Sequence, residues 1–116
     1  MYRFEKQRVY KNAMQLVREV YGIIKQLPIE EKFSLADQLR RASISIVLNI
    51  AEGTGSLGDT EFKSFLRNAL KSLYETVAAL KVVEMLYKIK IQSAVDQRDL
   101  VGRELNALIK SLNKNK

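Results

Sequence analysis

Apolar residues recur along this chain in four runs with helical spacing. In the first, Val9, Ala13, Leu16, Val20, Ile24 and Leu27 follow one another mostly at intervals of three and four. That spacing lays one apolar stripe along a helix predicted over about 5-26. Pro28 ends it, because proline disfavours helical geometry in the residue before it. A second helix is predicted over 34-52. Ser34 and Asp37 form a capping-box-like pair at its start, and Gly53 is expected to supply the left-handed residue that closes it. The third and longest helix is predicted over about 60-89, with Phe62, Leu66, Ala69, Leu73, Leu80, Val83 and Tyr87 on its stripe. Ser93 and Asp96 mark a fourth start, and Val101, Leu105, Leu108 and Leu112 give a last helix over 94-112. Four amphipathic helices with short links predict an all-α fold: one antiparallel up-down-up-down four-helix bundle over residues 1-116.

The second helix is apolar on two sides. At about 100° per residue, Leu35, Leu39, Ala42, Ile46 and Ile50 fall in one sector that faces the bundle. Ile44, Val47, Leu48 and Ala51 form a second apolar sector. Four such residues exposed together make a patch of the kind that marks interfaces. They are the expected contact of a homo-oligomer; the alternative is a helix placed centrally enough for one chain to cover both sides. Gln38, Arg41, Ser45, Asn49 and Glu52 form a polar stripe between the sectors. Ser64, Asn68, Ser72 and Glu75 form another on the third helix. Buried polar groups need partners, so Arg41, Ser45, Asn49, Glu52, Ser72 and Glu75 are expected to form a structural network, with Arg41 paired to Glu75 or Glu52. A binding groove is the other reading of the same residues.

Gly53, Gly55 and Gly58 have the spacing of a dinucleotide-binding loop. That fingerprint needs a preceding strand and a βαβ unit, and neither is predicted. Asp59 and Glu61 also occupy the following helix start, where they would repel a phosphate. The glycines are therefore read as a sharp helix-helix connection.

Composition narrows the chemistry. There is no cysteine and no histidine, which removes thiolate sites, cysteine nucleophiles and the commonest general base. Di-iron bundles built on Glu-x-x-His pairs are impossible. An all-carboxylate site from Glu52 and Glu75 is the residual metal reading, and an ion-pair role is preferred for both. No catalytic residue, metal ligand or cofactor is expected, and no small-molecule substrate is evident. The chain has no long apolar run and no apolar leader, so a cytoplasmic protein without a membrane partner is expected. Its formal charge is +7 and its pI about 9.7, a balance that suits an RNA or DNA partner. The candidate phosphate contacts are Arg3, Lys6, Arg8, Lys11, Arg18, Arg67, Lys71 and Lys81; Tyr2, Tyr10 and Tyr74 are candidate stacking residues.

The run Leu39-Arg40-Arg41-Ala42-x-x-Ser45-Ile46-x-x-Asn49-Ile50-Ala51-Glu52-Gly53 resembles the signature of the bacterial 23S ribosomal RNA intervening-sequence proteins. Phe33-x-Leu35-x-x-Gln38 before it and Glu61-Phe62-x-x-Phe65-Leu66-x-x-Ala69-x-x-Ser72-Leu73-x-Glu75 after it agree. The chain departs from the pattern at Val47 and Leu48, where relatives often carry Pro-Ser; without that proline the helix is expected to run straighter. The resemblance implies a four-helix bundle that assembles as a ring-like pentamer. Some members are encoded within insertions in ribosomal RNA genes, and no enzymatic activity is implied. A similar bundle is the accessory protein of diversity-generating retroelements, which binds a reverse transcriptase and nucleic acid. The function expected is that of a non-enzymatic oligomeric nucleic-acid-binding or scaffolding protein. The alternative is an adaptor for a nucleic-acid enzyme such as a reverse transcriptase.

Overall fold

The computed structural model describes the backbone of residues 2–114 and the side chains of residues 5–113. Four α-helices follow one another: α1 (Tyr2–Ile24), α2 (Leu35–Thr54), α3 (Asp59–Tyr87) and α4 (Gln92–Lys114). Among the described residues each helix packs on two neighbours, in the cyclic order α1, α2, α3, α4, and the backbones of diagonal helices do not approach closely. This is an up-down bundle, 48 × 23 × 18 Å. The stripes read from the sequence form its core. Leu16, Leu39, Ile46, Ile50, Leu66, Leu73, Leu80, Leu105, Leu108 and Leu112 are fully buried. Each such side chain contributes about 1.5–3 kcal/mol relative to exposure.

Pro28 ends α1 as expected. The last turn tightens through amide bonds from Gln26 to Ile23 and from Leu27 to Ile24, and Pro28 itself is extended. A short 3₁₀ turn, Ile29–Glu31, leads into α2.

The cap of α2 differs from the sequence reading. Ser34 occupies the cap position but its side chain makes no capping bond there. Its hydroxyl instead donates to Glu31, whose carboxylate also accepts the Leu35 amide at 3.4 Å and the Tyr87 hydroxyl. Asp37 pairs with Arg41. Glu31 thus links the 3₁₀ turn, the start of α2 and the end of α3. The Ser34 and Tyr87 hydrogen bonds hold its carboxyl below the usual carboxylate value of 4.5, and the same contact pushes the Tyr87 phenol up from 10.0. A depressed carboxylate contributes stability that is present above its unfolded pKa and lost as pH falls through the folded one. Glu31→Gln is therefore expected to lower the urea midpoint at neutral pH, with the difference from the parent shrinking on acidification below the ordinary carboxylate range.

The glycines also act differently from expectation. Gly53 does not close α2, which continues to Thr54 with Gly55 as its C-cap, and among the described residues no glycine has positive φ. Gly53 is buried inside the helix. A Cβ there would lie 2.9 Å from Phe62 Cδ1 and 3.1 Å from Phe65 Cβ. Its missing side chain is what lets α2 approach α3. Among the described residues the one left-handed residue is Lys88 (φ 56), which caps α3 through an amide bond to Glu84.

Val47 corrects a third expectation. It is buried in the core, because it sits on the α1 side of α2. The outer apolar sector of α2 is narrowed to half-buried Ile44 and exposed Leu48 and Ala51. α2 runs uninterrupted through Val47 and Leu48, as the absence of proline allows.

Candidate nucleic-acid interface

The polar stripes of α2 and α3 meet in part. Ser45 Oγ lies 2.9 Å from Ser72 Oγ, and Asn49 Nδ2 donates to Ser45 Oγ at 3.1 Å and to the Ser45 carbonyl at 2.9 Å. Thr76 extends the chain by donating to the Ser72 carbonyl at 2.7 Å. These groups satisfy one another along the α2/α3 contact, so they fix how the helices meet. Arg41 is not part of this network. It turns outward and pairs with Asp37 at 3.4 Å, not with Glu75 or Glu52. Both glutamates are exposed. A pair one turn apart on the same helix is reached at less entropic cost than one across two helices, since the backbone already sets its distance.

The cationic candidates do not form one surface. Lys6, Arg8, Lys11 and Arg18 lie on α1; Arg67, Lys71 and Lys81 lie on α3, which is diagonal to α1. The side chain of Arg3 lies outside the described residues, as does that of Tyr2. On α1, Lys6 Nζ sits 4.9 Å from the Phe62 ring centroid, and Arg8 Nε pairs with Glu104 at 3.1 Å. Lys11 and Arg18 are exposed. On α3, Arg67, Lys71 and Lys81 are exposed as well. Tyr74 is less available for stacking than its exposure suggests, because the Arg98 guanidinium lies 5.3 Å from its ring centroid.

The structure adds residues that the sequence reading missed. A groove of about 530 Å³ between α1 and α4 is lined by Arg8, Arg103, Glu104 and Lys110, among others. Arg103 and Lys110 belong to α4, whose cations carried no motif to mark them. Glu104 holds the two helices together, taking Asn12 Nδ2 at 2.8 Å in addition to Arg8, and Gln97 reaches the Asn12 carbonyl at 2.9 Å.

Two apolar surfaces remain uncovered. Tyr10 and Ala51 face one groove between α1 and α2. One turn further along these antiparallel helices stand Met14 and Leu48, 50% and 53% exposed. The outer sector of α2 is thus continued by α1 into a seam. The second surface is on α3: Tyr74, Ala78, Val82 and Met85 recur at helical spacing on its solvent side. Among the described residues no helix is long and apolar enough to cross a membrane.

Comparison with curated proteins gives no match. Among solved structures, the bundle resembles a protein of unknown function from the S23 ribosomal protein family of Bacteroides thetaiotaomicron VPI-5482. The TM-score is 0.75 at 22% sequence identity, over 94% of this chain and 98% of that one. At that identity the likeness speaks for the fold. The family model described as 23S rRNA-intervening sequence protein matches residues 5–113, which takes in all four helices and both polar stripes. The chain belongs to the 23S rRNA-intervening sequence protein family.

Proposed function

We propose that this chain is a non-enzymatic, self-associating protein that binds nucleic acid or scaffolds a complex formed on it. The observation that carries the reading is the uncovered apolar surface on a small, strongly basic bundle. Met14, Leu48 and Ala51 on one side and Tyr74, Val82 and Met85 on another are exposed together, and such patches mark contact sites. The two surfaces belong to different helices, so a contact between them is head-to-tail. Repeated head-to-tail contacts close into a ring when the rotation permits, in keeping with the ring-like pentamer that the family resemblance implies. A ring multiplies the +7 charge of each copy, and clustered Lys and Arg bind phosphates by releasing counterions.

The test is a salt titration of binding to random-sequence RNA and DNA. The expected result is a linear fall of log affinity with log salt, with measurable affinity kept at physiological ionic strength. The exposed stripe on α3 favours a second reading, in which the assembly is an adaptor for a nucleic-acid enzyme such as a reverse transcriptase. That reading predicts affinity for bare nucleic acid that vanishes at physiological salt.

A further inference from the structure

Charge is divided unevenly among the helices. α1 and α4 together carry nine Lys and Arg against five Asp and Glu, whereas α2 and α3 carry six against six. The excess positive charge of the helices belongs entirely to the α1/α4 half of the bundle.

Within that half, two of the carboxylates at the seam are already engaged, while Glu5 also lines the larger groove. Glu104 takes Arg8 and Asn12, and Glu19 takes Gln15 at 3.0 Å and Ser93 at 2.7 Å. The outer cations are not engaged: Lys11, Arg18, Arg103 and Lys110 are exposed and have no ion pair among the described residues. Lys11 and Arg18 are seven residues apart on α1, and Arg103 and Lys110 seven apart on α4. Each pair therefore lies on one face of its helix, about 10.5 Å apart. A second groove, of about 320 Å³, continues the seam beside Arg18 and Lys90.

The geometry points to the α1/α4 seam as a binding surface for the phosphate backbone of a nucleic acid, with Lys11, Arg18, Arg103 and Lys110 as its contacts. This assignment rests on the nucleic-acid reading above and gives it a location. Two spaced rows of cations follow an extended polyanion; a compact anion needs donors that converge on one point. A lipid surface is disfavoured because, among the described residues, α4 exposes no large hydrophobic residue, and Met14 between Lys11 and Arg18 is a single such side chain rather than an apolar face. The α3 cations are excluded from the surface. Arg67, Lys71 and Lys81 share their helix with Asp59, Glu61, Glu75 and Glu84, and they flank its apolar stripe.

The test compares the unsubstituted chain with Lys11→Gln/Arg18→Gln/Arg103→Gln/Lys110→Gln and with Arg67→Gln/Lys71→Gln/Lys81→Gln. All seven side chains are exposed, and matched thermal unfolding of the three proteins confirms that folding is retained. The probes are a random-sequence RNA, a DNA duplex and anionic phosphatidylserine vesicles. The α1/α4 variant is expected to bind RNA and DNA at least about tenfold more weakly at low salt. Its slope of log affinity against log salt on the duplex is expected to flatten by about 3 to 4, near one per lost contact. The α3 variant is expected to keep the parent's slope. An equal or larger loss in the α3 variant overturns the assignment of the face while leaving nucleic-acid binding intact. Binding to vesicles but not to RNA or DNA overturns both, as does an unsubstituted chain that binds none of the probes.

Discussion

Gly53→Leu is expected to destabilise the bundle by about 3 kcal/mol, at the upper end of the usual cost of overpacking a core. Even a Cβ at this position meets the Phe62 ring at 2.9 Å and Phe65 Cβ at 3.1 Å. Phe62 is itself 4% exposed, so its ring cannot move without disturbing its buried neighbours. Phe65 Cβ is fixed to the α3 backbone. A larger side chain can therefore be housed only by pushing α2 away from α3 along the tightest contact of the fold. Gly53→Ala tests the same point more finely. Alanine favours a helix over glycine by about 1 kcal/mol, and here the crowding outweighs that gain, for a net loss of about 1 kcal/mol. Gly22→Ala has the opposite sign. Nothing lies within 4 Å of a Cβ at Gly22, so the substitution is expected to stabilise by about 0.5–1 kcal/mol. Urea unfolding of the three variants measures both signs in one experiment.

Met14→Asp/Leu48→Asp is expected to abolish self-association and leave the single bundle folded. Both side chains are about half exposed in one copy, so their replacement leaves no cavity in the core. In an assembly that covers the α1/α2 seam, each new carboxylate is buried in an apolar contact, and Lys11 and Arg18, one turn either side of position 14, offset only part of a cost of several kcal/mol. A loss of about 4 kcal/mol weakens association roughly a thousandfold. The expected product is a 13.3 kDa particle with an unchanged helical spectrum.

Much of this architecture is legible in the sequence, because a helical stripe needs only local spacing to be recognised. The four helices begin and end within three residues of the positions that Pro28, the stripes and the turn residues mark. What stays illegible depends on partners far along the chain. Gly53 reads as a helix stop, since glycine after an apolar run is common there. Its actual role is set by Phe62 and Phe65, which only the folded α2/α3 contact brings against it. The cap of α2 comes from Glu31, held by Tyr87 from the far end of α3, so a local Ser34–Asp37 pattern misses it. Val47 is ambiguous on a helical wheel. Its side chain lies at the edge of the buried sector, and the position of α1 decides that it is covered. For the candidate interface, the cations could be named one by one from the sequence, but a charged face is a property of neighbouring helices. α1 and α3 are diagonal, so the five candidates on α1 are separated from the three on α3. Arg103 and Lys110 become visible only once α4 is laid beside α1.

The exposed seam of α1 and α2 is expected to be covered by another copy of the chain. The direct measurement is the mass of the protein in solution, by light scattering over a wide concentration range. One discrete species at a fixed multiple of 13.3 kDa is expected. A particle of that single-chain mass persisting at high concentration would contradict it.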